Sequence, residues 1–457
     1  MASVAEQLAA NMNLETFSKA TELRKRIWFT LAALIVYRLG TYIPVPGVDA
    51  TVMAQLLTRH SAGILGMMNT FSGGALGRMT VFALNIMPYI SASIIVQLMS
   101  SAIPSLEALK KEGESGRKRM NQYTRYLTVL IAIVQSFGMS VGLEGMRGDN
   151  GVMAVIDPGM FFRVSCVITL VGGTMFLMWL GEQITARGIG NGVSLIIFSG
   201  IVANLPNGLG NMLEMGRTGG LSPIVIVGFG FIAIAAIAFI VFMERAQRRV
   251  IIQYPKRQVG SRMFGGDSTH MPLKINTAGV IPPIFASSLL MVPATISGFA
   301  GNATYPAWVP LWASNALTLI TGSLSRGQPL YLVFYASMII FFSYFYTAVV
   351  FNPQETADNL KKYGGFIPGI RPGRATADYF DTILTRLTTI GAFYLVAVCL
   401  LPEVLTGKLN LPFYFGGTSL MIIVSVTMDT ITQMQSHLLA HQYQGLIKKN
   451  RVKGRGR

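Results

Sequence analysis

The sequence of 457 residues predicts an all-α, polytopic membrane protein, and three observations predict it. Of its residues 51% are hydrophobic and only 12% charged, against about 25% charged in an ordinary soluble domain. The mean hydropathy is +0.50, which excludes a large water-exposed fold. Apolar runs of spanning length recur along the whole chain. A bilayer satisfies no backbone N–H or C=O, and the runs far exceed the roughly ten residues of a barrel strand, so they must be helices.

Ten such spans are predicted, near Ile27–Val45, Met79–Ile103, Tyr126–Leu143, Phe161–Leu180, Val193–Pro206, Pro223–Met243, Ala278–Ala300, Leu330–Phe351, Thr382–Leu401 and Phe415–Thr432. Lys19 and Arg24-Lys25-Arg26 precede the first, and no small-residue cleavage site follows it. That span is expected to stay in the protein rather than leave as a signal peptide. Cys166 and Cys399 sit inside apolar runs, as small buried thiols do, and define no disulfide or metal framework.

The net charge of +17 and pI near 10.0 would suit a nucleic-acid binder, but here the position of each charge relative to the spans decides its meaning. Lys and Arg crowd every other segment between spans except the short one around Arg187, whereas the intervening ones carry one or two each. The positive-inside rule then places both termini in the cytoplasm. The basic face lies in two long loops, 244–276 and 352–381, and in the tail 436–457. Orientation and anionic lipid explain part of this charge. Loops so long, mixing Arg and Lys with Gly, Pro and aromatic residues, also suit docking of a large anionic or acidic partner.

The spans lack what other membrane machines carry. His60, His270, His437 and His441 fall outside the confident spans, and of the acids only Asp429 falls inside one, with Asp381 beside another. Ion-coupled transporters keep ionisable groups near the midplane, which disfavours a secondary transporter. There is no G-x-x-x-x-G-K-[ST] phosphate loop and no Ser, Cys or His constellation that reads as catalytic. A passive channel or a scaffold remains, with no cofactor and no metal expected.

Several spans are broken. Ser61 to Phe71 is apolar but only half a span long and ends in Ser72-Gly73-Gly74. It is either a half-helix entering from the outer face on a glycine hinge or an amphipathic helix lying on the surface. The fifth span, between Gly192 and Pro206, is short, and the seventh holds Pro282-Pro283. Such breaks survive where protein covers the backbone or where it lines a cavity. Asn85, Ser91, Ser93, Gln97, Ser287, Ser288 and the string Gly416-Gly417-Thr418-Ser419 either pack helices together or line a wet path. A branched apolar residue in turn either faces lipid or forms a dry constriction.

Five strings carry a resemblance: FSGGALGRMTVFALNIMPYISASIIVQL (71–98), KKEGESGRKRMNQYTRY (110–126), GTMFLMWLGEQITARGIGNGVSLIIF (173–198), FNPQETADNLKKYGGFIPGIRPG (351–373) and PFYFGGTSLMIIVSV (412–426). In order and at this length they resemble the SecY family, the channel subunit of the bacterial Sec translocase. The resemblance implies two pseudo-symmetric five-helix halves around a central pore, here 24–215 and 216–435, after a cytoplasmic segment 1–23. It implies a passive channel in the bacterial cytoplasmic membrane that moves unfolded secretory chains across and releases transmembrane segments sideways into lipid.

The resemblance also assigns residues. The plug would comprise Ser61, Ala62, Gly63, Ile64, Leu65, Gly66, Met67, Met68, Asn69, Thr70, Phe71, Ser72, Gly73 and Gly74. The pore ring would be Ile86, Ile90, Val193, Ile197, Ile284 and Ile422, a dry gasket that yields around a polypeptide but holds no continuous water column. Val193 departs from the family's usual Ile. Ser91, Ile94, Gln97, Ser287, Ser288 and Val292 would line a lateral gate, whose polar groups bond across it when closed. Implied partners are SecE and SecG, the SecA motor ATPase, the ribosome through its RNA phosphates, signal peptides and nascent chains, and anionic lipids. Arg371 leads the docking set, with Arg248, Arg249, Arg257, Arg262, Lys361 and Lys362; Gly260-Ser261-Arg262 stands where the family often has Gly-Arg-Arg.

Overall fold

The computed structural model describes residues 21–59, 69–146, 152–219, 222–254, 257–259, 262–264, 268–300, 329–409 and 416–453. Its helices are α1 (Thr21–Gly40), α2 (Ala50–Arg59), α3 (Met87–Ala102), α4 (Pro104–Lys111), α5 (Glu114–Gly145), α6 (Met160–Arg187), α7 (Gly192–Arg217) and α8 (Pro223–Arg245). Four short strands follow, β1 (Gln247–Gln253), β2 (Arg257–Val259), β3 (Arg262–Phe264) and β4 (Ser268–Lys274), then α9 (Ile281–Ala300), α10 (Pro329–Val350), α11 (Pro353–Lys362), α12 (Arg374–Leu409) and α13 (Gly417–Lys453). Among the described residues, six helices pass as membrane spans on length and hydropathy alone: α5, α6, α7, α8, the segment Pro329–Lys362 and α12.

Helix pairs close into a ring: α5 on α6, α6 on α7, α7 on α13, α13 on α12, α12 on α10, α10 on α9, and α9 back on α5. Within this architecture α3 packs against α5, α6 and α9. Apolar burial drives little association in lipid, so close backbone approach has to hold helices together. A Cβ on Gly417 would lie 2.2 Å from the Val398 carbonyl, and one on Gly192 1.9 Å from that of Gly181. Only glycine lets α13 meet α12 and α7 meet α6 at these distances. In contrast α8 buries a single residue, Ile240, and turns Ile224, Val227, Phe231 and Ile234 outward, as a helix bathed in lipid does.

Three boundaries differ from the sequence expectation. The second span was placed from Met79, but its helix begins at Met87. Residues 79–86 form an irregular, buried stretch paired to the chain after α1: the Val45 amide donates to the Met79 carbonyl (2.9 Å), the Val81 amide to Ile43 (3.0 Å), and Pro44 bridges Thr80. Protein rather than lipid satisfies this backbone, the condition for non-helical chain at membrane depth. The fifth span is not short; α7 continues through Pro206 to Arg217. Pro282 and Pro283 do not break the seventh, since they occupy the first turn of α9, where missing amide donors cost nothing.

Helices also outrun their apolar cores, so Glu144, Glu182, Glu244 and Glu403 lie in helical turns beyond the predicted spans. Glu144 accepts from both Arg163 nitrogens, at 2.6 and 3.0 Å, and from the Gly159 amide at 3.0 Å, joining α5 to the start of α6. At the other end of the same two helices Arg125 grips Glu182 through two bonds, 2.6 and 3.0 Å long. Between α3 and α4 the chain turns by 105° at Ile103: Pro104 has no amide to donate and forces the preceding residue into extended backbone, here φ −107°, ψ 117°.

Candidate functional site

The residues expected in the constriction come from four elements, of which α3 packs on α9 and α7 on α13. Ile86 caps the start of α3 and Ile90 follows one turn on; Val193 and Ile197 lie in the first two turns of α7; Ile284 lies in α9 and Ile422 in α13. Ile86, Ile90, Ile197 and Ile422 are buried members of the main apolar cluster, and Val193 and Ile284 are half-buried against it. The start of α7 is held by Asn191, whose Oδ1 accepts from the Val193 and Ser194 amides at 3.1 and 3.5 Å, an Asx cap that aims the first turn. Ile86 is not helical, contrary to expectation. It follows Asn85 at φ +50°, a left-handed conformation that Asn tolerates better than most residues.

Of the half-span 61–74, residues 61–68 fall outside the described residues. Its stem, Asn69 to Gly74, is held from four directions. Asn85 Nδ2 donates to the Phe71 carbonyl (2.7 Å), Arg38 Nη1 to Gly73 (2.7 Å), Arg78 Nη2 to Gly73 (3.3 Å), and Asn204 Nδ2 to Asn69 and Thr70 (3.3 Å each). Gly73 and Gly74 stand at φ +66° and +86°, a reversal that non-glycine residues resist. Arg38, Arg78 and Asn204 formed no part of the site read from the sequence. An Asn one turn beyond Gly200 and two arginines flanking an apolar half-span were the signals available.

The expected gate residues lie on α3 and α9, which pack together. Ile94, Ser287 and Ser288 are buried, Ser91 and Gln97 half-buried, and the Val292 side chain falls outside the described residues. Among the described residues, Ser288 Oγ donates across the two helices to Met87 Sδ at 3.8 Å, a weak bond. Ser287 donates instead to the Ile284 carbonyl in its own helix (3.0 Å), and Gln97 Nε2 to Ser93 Oγ (3.3 Å). Short hydroxyls on helices reach the preceding turn more readily than a neighbouring helix.

The two basic loops form one body. β1 and β4 make an antiparallel ribbon, with Val250 opposite Met271 and Ile252 opposite Thr269, and β2 pairs β3 at its tip. Val250 and Leu273 of the ribbon share an apolar core with Ile367 of the second loop and Phe380, Ile383 and Leu387 of α12. Arg371 is exposed on a turn between Gly369 (φ +83°) and Gly373 (φ +109°). Its carbonyl accepts from Thr376 Oγ1 at 2.9 Å, and the adjacent Ile370 packs on the core. Lys361 and Lys362 are exposed in the last turn of α11, whose start Asn352 caps through the Gln354 and Glu355 amides. Arg248 and Arg249 are both exposed but, as neighbours in a strand, point to opposite faces. Arg257 and Arg262 sit in β2 and β3; their side chains fall outside the described residues.

A closed circuit of contacting helices, with irregular chain held by hydrogen bonds from α1, from Asn85 and from α7, is the build of a polytopic membrane protein. The SecY family profile matches residues 80–431. The chain is 53% identical to protein translocase subunit SecY of Escherichia coli K12 over 436 residues, covering 95% of this chain and 96% of that one. It is 51% identical to SecY of Rickettsia conorii over 441 residues, with 96% and 99% covered. Its fold is similar to that of a solved protein-conducting channel (TM-score 0.59, 17% identity, 91% and 92% covered). It is similar also to a SecY whose plug domain stabilises the closed state (TM-score 0.61, 17% identity, the same coverage), and to canine Sec61 in a ribosome–channel complex (TM-score 0.58, 16% identity).

The chain belongs to the SecY family. It is a channel-forming subunit of a protein translocase, not itself a catalyst, and an integral, multi-pass membrane protein.

Proposed function

We propose that Ile86, Ile90, Val193, Ile197, Ile284 and Ile422 form the constriction through which unfolded chains pass, with residues 61–74 as the plug and α3 against α9 as the lateral gate. The observation that supports this reading is that Ile86, Ile90, Ile197 and Ile422 belong to one apolar cluster with Val193 and Ile284 packed against it, while Asn85, next to Ile86, holds the stem. A dry, branched ring blocks ions by dewetting, while its side chains give way to a polypeptide of any sequence. An apolar segment reaching the gate gains about 0.3–0.6 kcal/mol per central Leu or Ile on entering lipid, and a polar one continues through.

The halves 24–215 and 216–435 would move against each other at that gate. The joined basic loops would face the cytoplasm and take turns with two partners, the ribosome through RNA phosphates and the SecA motor, which supplies ATP hydrolysis alongside the proton-motive force. A ribosome-bound relative, canine Sec61, shares the fold. SecE and SecG would complete the complex in a bacterial inner membrane, both termini inside.

The test is translocation of a secretory precursor into proteoliposomes holding this chain and SecE, with SecA and ATP. Protection of the precursor from added protease is expected. A folded complex that protects none under these conditions overturns the reading.

A further inference from the structure

The stem of the half-span is gripped in a way that the plug reading does not require. Carbonyl oxygens of five consecutive residues each accept from a side chain outside the stem. Asn204 Nδ2 serves Asn69 and Thr70 at 3.3 Å each, Asn85 Nδ2 serves Phe71 at 2.7 Å, the Tyr37 hydroxyl serves Ser72 at 3.4 Å, and Arg38 Nη1 serves Gly73 at 2.7 Å. Arg78 adds a second donor to Gly73 and one to Gly74 (3.3 and 3.2 Å). Its guanidinium and that of Arg38 lie 4.0 and 5.3 Å from the centre of the Tyr42 ring, a cation–π contact that orients both.

We propose that Arg38, Asn85 and Asn204 are positioning residues that hold the plug in its resting place by the main-chain carbonyls of residues 69–73. The proposal rests on the plug reading of residues 61–74. Three features support it. Carbonyls turned toward the protein interior cannot be left unpaired cheaply, and a charge-assisted bond such as that of Arg38 is stronger than a neutral one. Capture by backbone ignores the identity of the plug side chains, so the grip is independent of plug sequence. The donors also belong to the constriction's own supports: Asn85 directly precedes Ile86, and Asn204 stands seven residues after Ile197, on the same face of α7. Gly200 lies between them with its Cα close enough that a Cβ on Gly73 would approach to 3.0 Å, so α7 cannot shift without disturbing the stem.

The test uses the complete translocase reconstituted in vesicles loaded with an ion-sensitive dye, with no substrate present. Arg38→Met with Asn204→Leu, which removes one charge-assisted and two neutral bonds, is expected to raise the resting ion leak about tenfold, read at temperatures well below the unfolding midpoint. Arg38→Lys, which keeps one cationic donor, is expected to restore part of the seal. If the double variant does not assemble, Asn204→Asp replaces it: the carboxylate keeps the shape, presents no donor and repels both carbonyls, with the same expected leak. A second chain with residues 61–68 replaced by Gly-Ser repeats gives the leak of a missing plug. Leak from this chain with a tight seal in the substituted one overturns the positioning role alone. A tight seal in the Gly-Ser chain overturns the plug reading, and with it the function assigned to the grip. Leak in the substituted chain only together with a lowered unfolding midpoint and no Lys rescue also overturns the proposal, reducing these residues to general packing.

Discussion

Gln253 and Phe366 exchange two backbone hydrogen bonds, each 2.9 Å long, across the gap between the ribbon and the loop that carries Arg371. Residues more than a hundred positions apart are thereby joined by an isolated antiparallel bridge, and the two loops share the apolar core that includes Phe380. The consequence is a preset spacing between Arg371 and the Arg248 and Arg249 of β1, which a pair of independent loops would not keep.

Arg371→Glu is expected to abolish motor-dependent translocation while leaving thermal unfolding within about 0.5 kcal/mol of wild type, because the side chain is exposed and only its carbonyl is engaged. Precursor protection in proteoliposomes and an unfolding curve on the same preparation check both halves. Normal protection would remove Arg371 from the docking surface.

Phe380→Ala should loosen the basic body by about 3–5 kcal/mol, the usual range for emptying a buried aromatic site; Phe380 is fully buried. Limited proteolysis is expected to cut within 247–274 and 352–373 at protease levels that leave wild type whole. The membrane helices should remain protected.

Two glycines should respond oppositely to the same change. On Gly173 a Cβ would meet the Val81 carbonyl at 2.1 Å, whereas Gly138 has nothing within 4 Å. Gly173→Ala is expected to cost about 1–3 kcal/mol by displacing the irregular stretch 79–86. Gly138→Ala is expected to be neutral or to stabilise by up to about 1 kcal/mol through helix propensity. Thermal unfolding of the purified complex separates them.

Ile422→Ser should wet the proposed constriction. A hydroxyl in place of a buried branched side chain (1% exposed) is expected to raise resting ion conductance about tenfold, equivalent to about 1.4 kcal/mol off the barrier. Val193→Ile, which adds a methylene at a half-buried position, should leave the seal intact or tighter. Single-channel recording in planar bilayers reads both.

The sequence by itself determined that the chain lives in a bilayer, because twenty-residue apolar runs admit one solution, and it determined the family, because five long strings are too specific to arise by chance. It marked the stretches rich in Lys and Arg from composition alone. What it left undecided depends on partners distant in the chain. Residues 79–86 are as apolar as a helix, and only their pairing with 43–45 shows why they are not one. The length of α7 was hidden by Pro206, which reads as a stop, yet the helix carries this exposed proline and runs on to Arg217. Arg38 carried no visible role, since its partner is the carbonyl of Gly73, and every residue has a carbonyl. Periodicity reports which face of an element is apolar; only the tertiary structure reports which backbone groups that element must satisfy, because main-chain hydrogen bonding leaves no mark on residue identity.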